Sequence, residues 1–141
     1  MAQRVMGDIV RDQKPLVFRP ETPVKEAARQ MCARRVGAAL VADGEGRLAG
    51  IFTGRDGLCR MLAKGLDPAT TTLAEVMTRN PATMSPGAPS IEALLLMQDG
   101  GFRHVPIVEN GRIVGIVSRY DFRGVEEARL DEETGYAERL W

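Results

Sequence analysis

Two strings in the chain place a hydroxyl and a carboxylate at one fixed spacing. The first reads Gly50-Ile51-Phe52-Thr53-Gly54-Arg55-Asp56, the second Gly115-Ile116-Val117-Ser118-Arg119-Tyr120-Asp121. Each runs glycine, two apolar residues, a hydroxyl, two variable residues, aspartate. A hydroxyl followed by N–H groups at a helix start favours an anion such as phosphate. A carboxylate three residues on can accept hydrogen bonds from paired hydroxyls, as on a ribose. The glycine lets another group approach the backbone closely. The same residues also read as ordinary caps, with Thr53 and Ser118 at N-cap positions and the aspartates complementing the helix dipole. A cap alone, however, does not require a glycine at the same distance in both strings.

Other reactive side chains are sparse. His104 is the single histidine and the group expected to titrate near neutrality; it reads equally as a half-buried strand residue and as a ligand contact. Cys32 and Cys59 stand 27 residues apart without a CxxC and read as packed thiols, Cys32 on an apolar helix stripe. No metal-ligand cluster, phosphate-binding glycine loop or Ser/His/Asp set is present, which argues against an enzyme.

The elements that must position these corners occur twice. At a shift of 66, Pro15, Pro20, Pro23, Glu26, Ala27 and Met31 fall on Pro81, Pro86, Pro89, Glu92, Ala93 and Met97. After one residue is lost in a turn the shift becomes 65, and Gly46-Arg47, Gly50-Ile51 and Asp56 fall on Gly111-Arg112, Gly115-Ile116 and Asp121. Each repeat opens with a short extended piece, Leu16-Val17-Phe18 or Ala82-Thr83-Met84. A helix follows with Pro23 or Pro89 at its first position, the first one capped by Thr22. Val24, Ala27, Ala28, Met31 and Cys32 recur at helical spacing as a buried stripe; Ile91, Ala93, Leu94, Leu95 and Met97 predict a more widely buried second helix. Two strands come next, 39–42 with 48–52 and 105–108 with 113–117, joined by turns at Asp43-Gly44 and Asn110-Gly111. A second helix begins near Asp56 and near Asp121. The organisation expected is repeat one over 1–65, a connector over 66–74, repeat two over 75–125 and an acidic tail over 126–141, helical or frayed.

Composition fits a soluble globular protein, and the strand and helix order makes it α/β. Of 141 residues, 44% are hydrophobic and 27% charged, with 19 basic and 19 acidic side chains. A net charge of zero argues against nucleic acid as a partner. No apolar run is long enough to span a bilayer, and Met1-Ala2-Gln3-Arg4 leads into no signal segment, so a cytoplasmic location is expected. Charge is uneven nonetheless: residues 1–65 hold twelve basic and seven acidic side chains, residues 125–141 two and six.

The repeat order, the Pro-rich turn before each helix, the hairpins and the two corners resemble a tandem pair of cystathionine-β-synthase-type (CBS) domains, a Bateman module. Glu75-Val76-Met77-Thr78 and Arg103-His104-Val105-Pro106-Ile107-Val108 match as well, and the resemblance covers about residues 6–125. It implies two β-α-β-β-α repeats packed face to face as a pseudo-two-fold pair, in a disc-like homodimer. It implies regulation without a required cofactor: an adenosine compound (AMP, ADP, ATP or S-adenosylmethionine) held in clefts between the repeats. One pocket would use Ile51, Thr53 and Asp56 with Thr78 and Ala82. The other would use Ile116, Ser118 and Asp121 with Val36, Gly37 and Ala38, and with Arg103, His104 and Arg119 toward a phosphate. The two pockets are not equivalent, and the Asp121 pocket is the one favoured for a phosphorylated ligand. The leading expectation is a nucleotide sensor read by an effector protein in trans. A dimerisation module without ligand is the alternative; an enzyme or a nucleic-acid binder is more remote.

Overall fold

The computed structural model describes residues 4–122. In chain order the elements are α1 (Met6–Val10), β1 (Val17–Phe18), α2 (Val24–Arg34), β2 (Ala38–Ala42), β3 (Leu48–Thr53) and α3 (Gly54–Asp56), which runs into a π-helical turn (Gly57–Leu62). Then come α4 (Leu73–Val76), β4 (Thr78–Arg79), α5 (Ser90–Gly100), β5 (His104–Glu109), β6 (Arg112–Ser118) and a 3-10 turn (Arg119–Asp121). The helix expected beyond Asp121 and the acidic tail lie outside the described residues. None of the described helices is long and apolar enough to cross a membrane.

The chain divides into two compact units whose borders cut across the repeats. One is Lys14–Ala82 together with Asn110–Ile113; the other comprises the described parts of Met1–Gln13, Thr83–Glu109 and Val114–Trp141.

The first unit is built on a four-stranded sheet in the order β1-β2-β3-β4. β1 runs parallel to β2, and the β2–β3 and β3–β4 pairs are antiparallel. β2 is buried along its whole length, as a strand covered on both faces must be. Its core gathers Val24, Ala27, Met31, Val41, Phe52 and Met61 with Leu73, Val76 and Met77. Each large side chain among them contributes about 1.5–3 kcal/mol of burial. The Asn110-Gly111 turn belongs to this unit: Leu48 N–H donates to the Gly111 carbonyl (3.3 Å) and Arg47 bridges Arg112. Asn110 and Gly111 both take positive φ, 54° and 79°, the geometry of the Asn-Gly hairpin turn.

The second unit packs α1 and α5 on β5 and β6, around Met6, Val10, Leu94, Met97, Val105, Ile107 and Val117. Met84 adds a single parallel bridge to Ile107, so the extended piece expected at 82–84 shrinks to one residue. α5 is buried at Ile91, Ala93, Leu94 and Met97, the wide burial its sequence predicts.

Two local expectations are corrected. Pro23 and Pro89 are N-caps, not first helical residues, and Thr22 makes no side-chain cap. Each proline is extended (ψ 142° and 150°), so the helix starts one residue later. The open N–H groups of α2 are satisfied instead by the connector: Val24 donates to the Thr71 carbonyl (2.9 Å) and Lys25 to that of Pro68 (3.0 Å). Cys32 is exposed, as is Cys59. The stripe that carries Cys32 turns out of the core toward an apolar cavity of about 400 Å³, lined by Val24, Met31, Cys32, Phe52, Met61 and Leu62.

Candidate functional site

Each corner is held by its own cap. In the first, Asp56 N–H donates to Thr53 Oγ1 (3.3 Å), while Asp56 Oδ2 accepts from Thr53 N–H (3.0 Å) and Thr53 Oγ1 (3.2 Å). In the second, Asp121 Oδ2 accepts from Ser118 N–H (2.7 Å), and Tyr120 N–H donates to Ser118 Oγ (3.3 Å). Each is a capping box, in which hydroxyl and carboxylate satisfy one another's backbone.

The motif glycines have a common steric reason and different neighbours. A Cβ on Gly50 would lie 2.6 Å from Met77 Sδ and 2.8 Å from the Thr78 carbonyl oxygen, because β4 pairs there. On Gly115 it would lie 2.6 Å from Val10 Cβ and 2.7 Å from Gln13 Oε1. Among the described residues, no strand faces Ile116 as Thr78 faces Ile51. The Gln13 carboxamide does this work: its Nε2 donates to the Ile116 carbonyl (2.7 Å), and its Oε1 accepts from Ile116 N–H (2.9 Å).

A second correspondence appears at the strand that leads into each hairpin. Gly54 N–H donates to the Gly37 carbonyl (3.2 Å), and Arg119 N–H donates to the Arg103 carbonyl (2.9 Å). Gly37-Ala38 and Arg103-His104 therefore hold equivalent places beside their corners. In the first repeat that place is neutral; in the second it is basic.

Around Asp56 the structure brings together Ile51, Thr53, Asp56 and Thr78. Thr78 Oγ1 donates to Asp56 Oδ1 (3.1 Å), and Ile51 is buried opposite Thr78. Ala82 lies exposed on the loop beyond β4. Val36 and Gly37 are exposed and Ala38 is buried; they belong to the Asp56 unit, where Ala38 pairs with Thr53. Around Asp121 it brings together Ile116, Ser118, Arg103, His104 and Arg119 in the second unit. Burial lowers the His104 pKa below the ordinary 6.5; the Asp121 charge opposes this and the Arg103 charge adds to it.

Two arginines at these corners escape sequence reasoning. Arg4 Nη2 donates to the Asp121 carbonyl (2.8 Å), from a segment that precedes the repeat and carries no motif. Arg60 Nε lies 3.6 Å from Asp56 Oδ1. Its i,i+4 spacing from Asp56 is a readable signal, though a common one on any helix. Among the described residues, no group of three or more His, Cys, Asp or Glu side chains is placed to hold a metal ion.

A model of the CBS domain matches residues 6–61 and 73–127. The CBS domain-containing protein CBSCBSPB2 of Arabidopsis thaliana is 43% identical over 108 residues, 77% of this chain; the chain spans 20% of that relative's length. The CBS-domain containing protein ATU1752 from Agrobacterium tumefaciens has a TM-score of 0.77 at 32% identity, covering 92% of this chain and 95% of that one. The CBS domain pair of protein MJ0100, solved in complex with 5-methylthioadenosine and S-adenosyl-L-methionine, has a TM-score of 0.76 at 26% identity, covering 94% and 98%.

Proposed function

The chain belongs to the CBS-domain family, and from that membership we propose that it is a regulatory module that binds an adenosine compound and has no catalytic activity of its own. The observation that carries this reading is the Asp121 corner, where a capped carboxylate sits with Arg103, His104 and Arg119. The carboxylate would take the ribose hydroxyls. Ser118 and the Arg103 and Arg119 guanidinium groups would take phosphate, or the amino-acid carboxylate if the ligand is S-adenosylmethionine, with neutral His104 as a further donor. Ile116 would pack on the base. The Asp56 pocket, with Ile51, Thr53, Thr78 and Ala82, is the lesser site. The solved MJ0100 pair supports the ligand class, since two adenosine compounds are bound there.

For binding to signal, ligand must favour one arrangement of the protein over another. We assign that arrangement to a homodimer, read by an effector protein. The first unit exposes Leu62 (74%) and Leu66 (43%) at its apolar cavity, and Leu58 (59%) on the same helical turn as Leu62. A second copy of the chain, bringing the same leucines, would cover them.

The test is a thermal-shift series with AMP, ADP, ATP and S-adenosylmethionine. Binding raises stability by RT ln(1 + [L]/Kd), about 2.7 kcal/mol at a hundredfold excess over Kd. One adenosine compound should raise the melting temperature, and Asp121→Ala should remove the rise. If no compound shifts the wild type, the ligand-free dimerisation module becomes the better reading.

A further inference from the structure

The first-repeat corner differs from the second in having its carboxylate closed from within. Asp56 is 6% exposed. Both its oxygens are engaged: Oδ2 by the backbone and hydroxyl of Thr53, Oδ1 by the Thr78 hydroxyl at 3.1 Å and by the Arg60 guanidinium at 3.6 Å. Arg60 is fixed at its other end. Its Nη1 donates to the Met77 carbonyl (2.8 Å) and more weakly to that of Val76 (3.4 Å). The guanidinium thus bridges the carboxylate to the two residues that precede Thr78.

A ribose entering this corner would donate two hydrogen bonds to Asp56. To do so it must displace the Thr78 hydroxyl and separate Arg60 from the carboxylate. Asp56 is the buried member of this pair and Arg60 the half-exposed one, so separating them leaves the buried carboxylate with less compensation. In the second repeat the residue aligned with Arg60 is Val125, which has no cation to offer. The position aligned with Thr78 along the strand is served by the Gln13 carboxamide, whose donor and acceptor are both turned to the Ile116 backbone.

We infer that Arg60 is a built-in occupant of the Asp56 corner that excludes ligand there and leaves the protein with one working adenosine site per chain. This rests on the adenosine-binding reading above and names which of its two sites is used. Arg60 acts as a specificity-determining residue: it sets stoichiometry while the Asp121 site sets affinity.

The experiment is calorimetric titration with AMP of the full chain and of Arg60→Met, Arg60→Met/Asp121→Ala and Asp121→Ala. Methionine keeps the apolar stem of the arginine and removes the fork. The expected stoichiometries are one per chain for wild type, two for Arg60→Met, one for the double variant and none for Asp121→Ala. One site in both wild type and Arg60→Met overturns the inference and leaves the adenosine reading standing. A site that appears only when Arg60 is removed upholds the inference and overturns the assignment of the Asp121 site. Binding in no variant overturns both. Should Arg60→Met fail to fold, the wild type still decides: the Nε–H resonance of Arg60 should not move when AMP saturates the protein, and a shift coincident with binding refutes the closure.

Discussion

Replacing Gln13 by alanine tests whether one side chain does the work of a strand. In the first unit the backbone of Ile51 pairs with β4, whereas in the second, among the described residues, the Gln13 carboxamide takes that place beside Ile116, at 2.7 and 2.9 Å. Alanine deletes both bonds. A net hydrogen bond contributes about 1 kcal/mol, and a buried group left without a partner costs about 1–3 kcal/mol. Ile116 is half-buried, so water restores part of the loss, and about 2 kcal/mol of destabilisation is expected. With a urea slope of about 2 kcal/mol/M, the unfolding midpoint should fall by about 1 M at unchanged slope. Gln13→Glu sharpens the test. It keeps the acceptor for Ile116 N–H but sets a carboxylate oxygen against the Ile116 carbonyl, which favours the protonated acid in the folded state. The folded pKa of that glutamate is then raised, so stability is gained as pH falls through the folded pKa toward the unfolded value of about 4.3. A midpoint change under about 0.2 M for Gln13→Ala, with Gln13→Glu showing no pH dependence of its own, would refute the reasoning.

Three further outcomes follow from the same geometry. Gly50→Ala forces a methyl to within 2.6 Å of Met77 Sδ and 2.8 Å of the Thr78 carbonyl, and should cost about 1–3 kcal/mol in a thermal melt; an unchanged melt would mean that β4 yields freely. His104 has its pKa lowered by burial, so the unfolded chain binds its proton first and stability should decline as pH falls from about 6.5 through the folded pKa. His104→Gln should flatten that part of the profile, and an identical slope in the variant would assign it to other groups. Leu62→Glu places a charge on a side chain 74% exposed at the apolar cavity; under the proposed homodimer, sedimentation should show a dimer for the wild type and a monomer for the variant, with the fold retained by circular dichroism, and a wild type that sediments as a monomer would refute the proposed interface.

What the sequence revealed was what short range decides. Asp43-Gly44 and Asn110-Gly111 place both hairpins, and the corner strings place both caps, because turn and cap chemistry act over a few residues. Helical periodicity found Val24, Ala27 and Met31 but misjudged Cys32, since a period cannot say how far a core extends along a helix. The starts of α2 and α5 were misread by one residue, because their open N–H groups are met by Thr71, Pro68 and Arg4, partners remote in the chain. At the corners, Thr53, Asp56, Ser118 and Asp121 were legible as a motif. Gln13 and Arg4 were not, and Arg60 only through its common i,i+4 spacing from Asp56, since their roles arise from what the fold brings beside them.

The exchange of segments between the repeats has a consequence for synthesis. Met6 and Gly7 donate to the carbonyls of Ala88 and Pro86, and Arg4 accepts from Ser90. A nascent chain that has just delivered α1 must wait for about 80 more residues before those partners exist, some 4–16 s at 5–20 residues per second. Meanwhile Met6 and Val10, both buried in the finished molecule, stay in contact with water or chaperones. The first unit is delayed in turn, because the Gly111 carbonyl that meets Leu48 is made still later. A break in the connector would give two fragments that each lack part of their own core, stable only when mixed. Duplication wrote this chain as two sentences, but the ribosome must finish the second before the first can close.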